Sequence, residues 1–234
     1  MDVEALLFDV GGTVFDWRTA VIDALGAVAS AKLRARDSGE FAEEWRKRSL
    51  MAVDAVAWRE TPWRAFDQIL EDALDQTLAM FDIEDLSPED RAHLLAAWER
   101  MPAWDEAPGG LARLRSRYFL APLTILSLRT AAHSSRRAGI VWDAIVSCDA
   151  IGAMKPDPAS YVGGLAAIGR PGDKVMFVAA HPGDLRAAAQ HGMRTAFLKP
   201  RLEDWGDDYT DTGFANEFDI VAEDFADLAG ILGT

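Results

Sequence analysis

Four segments of this 234-residue chain bring side chains capable of chemistry to the end of an apolar run or into a loop. Leu6-Leu7-Phe8-Asp9-Val10-Gly11-Gly12-Thr13 runs from a buried-looking strand into an aspartate, a glycine pair and a threonine. A carboxylate at that place is a candidate nucleophile, because Gly11-Gly12 lets the backbone bend sharply and approach a ligand closely. Taken alone the segment also fits an aspartate that merely opens a turn. Pro122-Leu123-Thr124-Ile125-Leu126-Ser127 is a second apolar run, and it ends in a hydroxyl. Met154-Lys155-Pro156-Asp157-Pro158-Ala159-Ser160-Tyr161 sets a lysine before a proline-punctuated helix start, and Val175 to Ala180 leads through His181-Pro182-Gly183 to Asp184.

The elements that must position these groups follow from the pattern of apolar residues. Short apolar runs recur at Ala5 to Val10, Leu123 to Ser127, Ala144 to Cys148, Val175 to Ala180, Thr195 to Leu198 and Phe218 to Val221. Helix-like or turn-rich segments separate the later runs, which predicts a doubly wound α/β fold with a parallel sheet and right-handed crossovers. Ligands of such sheets sit beyond the carboxyl ends of the strands, where Asp9 falls. From Trp17 to about Trp104 no strand-like run occurs. There Phe66, Ile69, Leu70, Ala73, Leu74 and Leu78 form a helical stripe, and Ser87-Pro88-Glu89-Asp90 caps a helix containing Leu94, Leu95 and Trp98. The expected division is a core of residues 1–15 and 105–234, with a helical insertion over 16–104. The acidic, glycine-containing stretch from about Arg201 to Glu217 is expected to be a solvated loop.

Composition excludes several classes of function. Half the residues are hydrophobic, enough for one substantial core and a smaller second domain. Acidic residues outnumber basic ones 38 to 24, giving a net charge of −14, so a nucleic-acid partner is not expected. No run approaches the roughly 18 apolar residues of a membrane span, and no secretory leader pattern opens the chain, so the default expectation is a cytoplasmic protein. Cys148 stands alone, which rules out an internal disulfide and suits a small core residue.

In order, Asp9, Ser127, Lys155 and Asp184 resemble the four motifs of the haloacid dehalogenase superfamily, and the resemblance runs over nearly the whole chain. The K-P-D-P-x-x-Y and A-A-H-x-G-D-L-x-A-A stretches, followed by Thr195-Ala196-Phe197, look most like the type II 2-haloacid dehalogenase branch. The resemblance implies a Rossmann-like core whose helical insertion is a cap closing over the catalytic loops. It also implies hydrolysis of short 2-haloacids through an ester on Asp9, and it suggests a homodimer. Lys155 would keep Asp9 ionised, since unit charges about 4 Å apart attract by about 4 kcal/mol at an effective dielectric near 20. Asp184 would orient Lys155 or the hydrolytic water while capping a helix, and Thr13 would hold the Asp9 carboxylate. Trp45-Arg46 matches the cap-helix Trp-Arg pair, whose arginine meets the substrate or the departing halide. Ser127 would donate to the substrate carboxylate, with Val10, Gly11, Leu128, Tyr161 and His181 around the substrate.

Departures from the family pattern are as informative. Phosphate-transferring members carry a second aspartate where this chain has Gly11 and a magnesium ligand where it has Ala180, so neither a metal nor another cofactor is expected. Leu128 replaces an asparagine that helps to bind carboxylate, His181 stands where asparagine is usual, and many dehalogenases have an aromatic residue at the position of Gly11. Two alternatives stay open at this point: a phosphatase or phosphonate hydrolase, and a non-catalytic small-molecule-binding protein on the same fold.

Overall fold

In the computed structural model, which describes residues 2–201 and 217–234, the strands β1 (Ala5–Phe8), β2 (Phe119–Thr124), β3 (Val146–Ser147), β4 (Val175–Ala179), β5 (Arg194–Leu198) and β6 (Ile220–Ala222) form one sheet. Every pairing is parallel and the order is β3-β2-β1-β4-β5-β6. The chain builds outward from β1 in one direction, then returns to β4 and builds outward in the other. The strand order therefore reverses between β1 and β4, the place where an open α/β sheet offers a crevice at its carboxyl edge.

The alternation of side chains along β1 explains why both faces of the sheet are covered. Leu6 and Phe8 share a core with Leu111 and Leu114 of α6 (Ala107–Arg115) and with Phe225 and Leu228 of the C-terminal helix. Gly110 lets that last helix close on α6, because a Cβ there would lie 2.5 Å from the Cβ of Phe225. Ala5 and Leu7 face the opposite way, into a core with Tyr161 of α9 (Pro158–Ile168) and Leu185 and Ala188 of α10 (Pro182–Ala189). The other crossover helices are α7 (Leu128–Arg137) and α8 (Cys148–Ile151), and the C-terminal helix, α11, spans Phe225–Ile231.

Between β1 and β2 lies the helical cap, made of α1 (Trp17–Ala27), α2 (Ala31–Arg34), α3 (Ser38–Ala57), α4 (Phe66–Met80), α5 (Pro88–Leu95) and a 3-10 turn at Ala96–Arg100. Asp16, Ser30, Asp37 and Ser87 each accept a backbone N–H at a helix start, which fixes where these helices begin. The α4 stripe expected from spacing is buried throughout. It packs mainly against α3, and its first residue, Phe66, meets Trp98 at 6.3 Å; the Trp98 ring also stacks on Trp17 at 6.0 Å and meets Trp45 edge-on at 5.7 Å. Two contacts tie the cap stem to the turn after Asp9: Trp104 Nε1 donates to Gly12 O at 3.0 Å and Trp104 N donates to Val14 O at 3.1 Å.

Strand limits differ from the sequence expectation by two residues at the end of β1 and the start of β6, and more consequentially at β2 and β3. β2 ends at Thr124 because its Oγ1 accepts the N–H of Leu126 and starts a turn, so Ile125 and Leu126 belong to the loop and not to the strand. β3 is two residues long because Ser147 caps α8, which takes Cys148 out of the ladder. The expected loop near Arg201 to Glu217 falls almost entirely on residues outside those described. Among the described residues no helix is long and apolar enough to cross a membrane.

Candidate active site

Asp9 leaves the end of β1 with its N–H bound to Val178 O, so its backbone is an extension of the central ladder. The turn that follows returns on itself through Gly12 N to Phe15 O, with Gly12 at φ 85°, a conformation that costs a glycine little. That turn brings the Thr13 hydroxyl 2.8 Å from Asp9 Oδ2, and the same hydroxyl oxygen accepts Ala180 N at 3.0 Å. With its lone pair so occupied, the hydroxyl proton is directed at the carboxylate.

Lys155 enters from the loop before α9, where the Lys155-Pro156 bond is cis. Its ammonium donates to Asp9 Oδ1 at 2.9 Å and to Asp184 Oδ2 at 2.5 Å, and stands 5.4 Å from the Phe177 ring centroid. The other oxygen of Asp184, in the first turn of α10, accepts the Tyr161 hydroxyl at 2.5 Å. His181, immediately before α10, places Nδ1 2.9 Å from Asp9 Oδ2. An ionised carboxylate can only accept, so Nδ1 carries the hydrogen of that bond. Asp9 and Lys155 are 6% and 8% exposed, so these charges meet in a medium that screens them weakly.

The charges follow from this packing. Burial alone would raise the Asp9 carboxyl, but the Lys155 charge and His181 outweigh it and hold Asp9 well below the usual carboxylate range. Burial would likewise lower Lys155, and the charges of Asp184 and Asp9 instead hold it above its ordinary value. Asp184 is raised, because burial and the neighbouring Asp9 charge exceed what Lys155 returns to it. One ammonium thus serves two buried carboxylates and favours the ionisation of Asp9 over that of Asp184. Burial and Asp184 push the Tyr161 phenol up, and burial pushes the Cys148 thiol up to about 12, consistent with an inert core position.

These groups open onto a cavity of about 270 Å³ lined by Asp9, Gly11, Lys155, Pro156, Tyr161, His181, Gly183 and Asp184 of the core. Ile125 and Leu126 complete the core side, and Arg46, Leu50, Val53 and Asp54 come from α3 of the cap. Trp45 is buried in the cap with its indole N–H on Leu70 O, which turns the next residue, Arg46, toward the core. The Arg46 guanidinium lies 4.6 Å over the Trp17 ring, a cation–π contact that fixes its plane. Burial and Glu60 raise the Asp54 carboxyl.

Seven residues expected at the site from sequence line this cavity: Asp9, Gly11, Arg46, Lys155, Tyr161, His181 and Asp184, with Thr13 bonded to Asp9 behind it. Three do not line it. Val10 is wholly buried and its carbonyl accepts from Val14 and Phe15. Ser127 caps α7, its Oγ accepting Thr130 N and donating to Thr130 Oγ1. Leu128 opens α7 at 52% exposure, because the strand ends before Ser127 and the chain has already turned away. Sequence reasoning missed Leu50, Val53 and Asp54, although their spacing of four, seven and eight from Arg46 was the signal for a shared helix face. Ile125 and Leu126 were hidden because they read as strand.

The residues present do not suit a magnesium ion. Asp9 spends its oxygens on Lys155, Thr13 and His181, and an ammonium 2.9 Å away occupies the place of a cation. Among the described residues no group of three or more His, Cys, Asp or Glu side chains is placed to share a metal.

The chain matches the family model of haloacid dehalogenase-like hydrolases over residues 3–192. It is 28% identical over 205 residues to the (S)-2-haloacid dehalogenase 4A of Burkholderia cepacia, covering 82% of this chain and 81% of the relative. Among solved structures, an L-2-haloacid dehalogenase is 31% identical and superposes with a TM-score of 0.89 over 98% of this chain and 99% of the other. A defluorinating L-2-haloacid dehalogenase is 32% identical with a TM-score of 0.90, over 99% of this chain and 96% of the other.

Proposed function

Because this chain belongs to the haloacid dehalogenase-like hydrolase family, we propose that it hydrolyses 2-haloacids without a metal, through a covalent ester on Asp9. The observation that carries the reading is the buried Lys155 ammonium, 2.9 Å from Asp9 and 2.5 Å from Asp184, at the wall of a cavity reached by Arg46. It leaves a desolvated, ionised carboxylate facing space for a small anion, which is what displacement at carbon requires. The relatives described above are 2-haloacid dehalogenases, which supports the same reaction here.

The hydrogen bonds support different tasks for the two oxygens of Asp9. Oδ2 accepts from Thr13 and from His181, whereas Oδ1 accepts from Lys155 alone and keeps a lone pair for attack. Oδ1 forms the bond to C2 as the carbon–halogen bond breaks and halide departs with the electron pair. Water then adds to the aspartyl carbonyl carbon. The negative charge that develops on Oδ2 meets the Thr13 hydroxyl and the His181 N–H already in place. Collapse releases the 2-hydroxy acid as the departing oxygen takes a proton from Lys155; Lys155 regains the proton that water lost to Asp184, and the Asp9 carboxylate returns as the second proton of water leaves to solvent. Asp184 accepts from Lys155 on one oxygen and from Tyr161 on the other, so it positions the lysine, and each oxygen keeps a lone pair that can take the proton the attacking water loses. Arg46 supplies the planar charge for the substrate carboxylate or the leaving halide. In this division of labour residues 1–15 and 105–234 carry the chemistry and 16–104 close over it.

A single turnover in heavy-oxygen water tests the ester. Label is expected in the peptide containing Asp9, and label appearing only in the hydroxy acid would mean direct attack by water. Halide release should also survive a chelator; loss on chelation with recovery in magnesium would overturn the proposal.

A further inference from the structure

The cavity is larger than a two-carbon acid needs. Its volume is about 270 Å³, whereas about 150 Å³ suffices for a benzene ring. Part of the space comes from two lining glycines. A Cβ at Gly183 would meet nothing within 4 Å, and one at Gly11 would meet only Arg46 Nη1, at 3.8 Å. The rest follows one face of α3, where Arg46, Leu50, Val53 and Asp54 succeed one another over about 12 Å at about 1.5 Å per residue.

This face has a direction. Arg46 lies at the end beside Gly11 and Asp9, as the 3.8 Å approach requires. Beyond it the wall is apolar, with Val53 buried and Leu50 joined by Ile125 and Leu126 of the core, until the exposed carboxylate of Asp54 ends it. A substrate carboxylate is attracted at the Arg46 end and repelled at the Asp54 end, and between them only apolar contact is offered. Resting on the dehalogenase reading, we propose that the preferred substrates are 2-haloacids with an unbranched apolar chain several carbons long, its carboxyl group toward Arg46 and its tail along Leu50 and Val53.

The test is kcat/KM for halide release across 2-bromopropionate, 2-bromobutyrate, 2-bromopentanoate and 2-bromohexanoate, all substituted at a secondary carbon. Burial of each added methylene should raise kcat/KM about fourfold, so the last should exceed the first by about fiftyfold. Gly183→Leu refills the space and should cut that ratio at least tenfold. If that variant does not fold, Leu50→Ala, which removes apolar contact along the proposed path of the tail, should cut the same ratio. A wild-type ratio at or below one, with 2-bromopropionate turned over, overturns this proposal and leaves the dehalogenase reading standing, and so does a ratio unchanged in the variant. Halide release from no member of the series overturns both.

Discussion

Replacing Lys155 by methionine keeps most of the side chain's bulk and removes the charge on which the site's electrostatics depend. At an effective dielectric of about 20, unit charges 2.9 Å and 2.5 Å apart attract by roughly 6 and 7 kcal/mol. Desolvation and the mutual repulsion of Asp9 and Asp184 oppose these terms, and removal of one partner from a buried pair costs about 3–5 kcal/mol. The deficit should depend on pH with a definite sign. In the wild type Asp9 lies below its ordinary value of 3.8, so its stabilisation is level above that pH and is lost only in stronger acid, while Asp184, already raised, loses stability as pH rises, so the deficit reads only the further rise in the variant. In the variant two buried carboxylates face each other without a cation, and one must hold a proton to a folded pKa above 3.8. A carboxyl shifted upward loses stability as pH rises, by about 1.4 kcal/mol per pH unit for each proton retained. Urea unfolding at pH 5, 6 and 7 should therefore show the Lys155→Met deficit growing by up to about 2.7 kcal/mol. Both proteins should carry His181→Asn, so that the imidazole bonded to Asp9 does not enter the comparison. A deficit level across this range, or smaller than about 1 kcal/mol, would refute the idea that one ammonium neutralises both carboxylates.

Arg46→Lys keeps a charge but loses the planar fork held over Trp17, and kcat/KM on 2-haloacids should fall about tenfold to a hundredfold; unaltered kinetics would put Arg46 outside the substrate site. Thr13→Val removes a donor from Asp9 Oδ2 and leaves the buried Ala180 N–H without its acceptor. It should cost about 1–3 kcal/mol in urea unfolding and slow ester hydrolysis more than ester formation, read as a larger burst of halide. Leu128→Asn should change kcat/KM by less than about twofold, since the side chain is half exposed and lines no part of the cavity; a tenfold gain would return it to the substrate.

Residues whose partners lie along the same strand or turn were legible in the sequence. Asp9 could be placed because four apolar residues before it and two glycines after it leave the carboxylate one position to occupy. The α4 stripe and the Ser87 cap were legible for a similar reason, since helical spacing and capping are local properties. What could not be read was where β2 stops. Ile125 and Leu126 are as apolar as the strand before them, and only the bond from Leu126 N to Thr124 Oγ1 removes them from it. That single turn moves Ser127 and Leu128 out of the cavity and moves Ile125 and Leu126 in. The pairing of Lys155 with Asp184 was expected from the family resemblance, but which oxygen each side chain meets, and the bond of His181 to Asp9, were out of reach because those partners come from segments far apart in the chain.

The insertion of the cap between β1 and β2 imposes an order on the birth of the protein. β1 is the central strand of the sheet and the first to be synthesised, yet its partners begin at Phe119 on one side and Val175 on the other. At about 5–20 residues per second, the first neighbour of Ala5–Phe8 emerges many seconds after the strand itself. During that interval an apolar strand with both edges unpaired waits beside a growing helical segment, exposed to any other strand that reaches it. The helices of the cap, whose contacts are local, have time to form first and to shelter it. Asp9 meets Lys155 only after the chain beyond β3 has been made, so the buried ion pair is completed long after β1 itself.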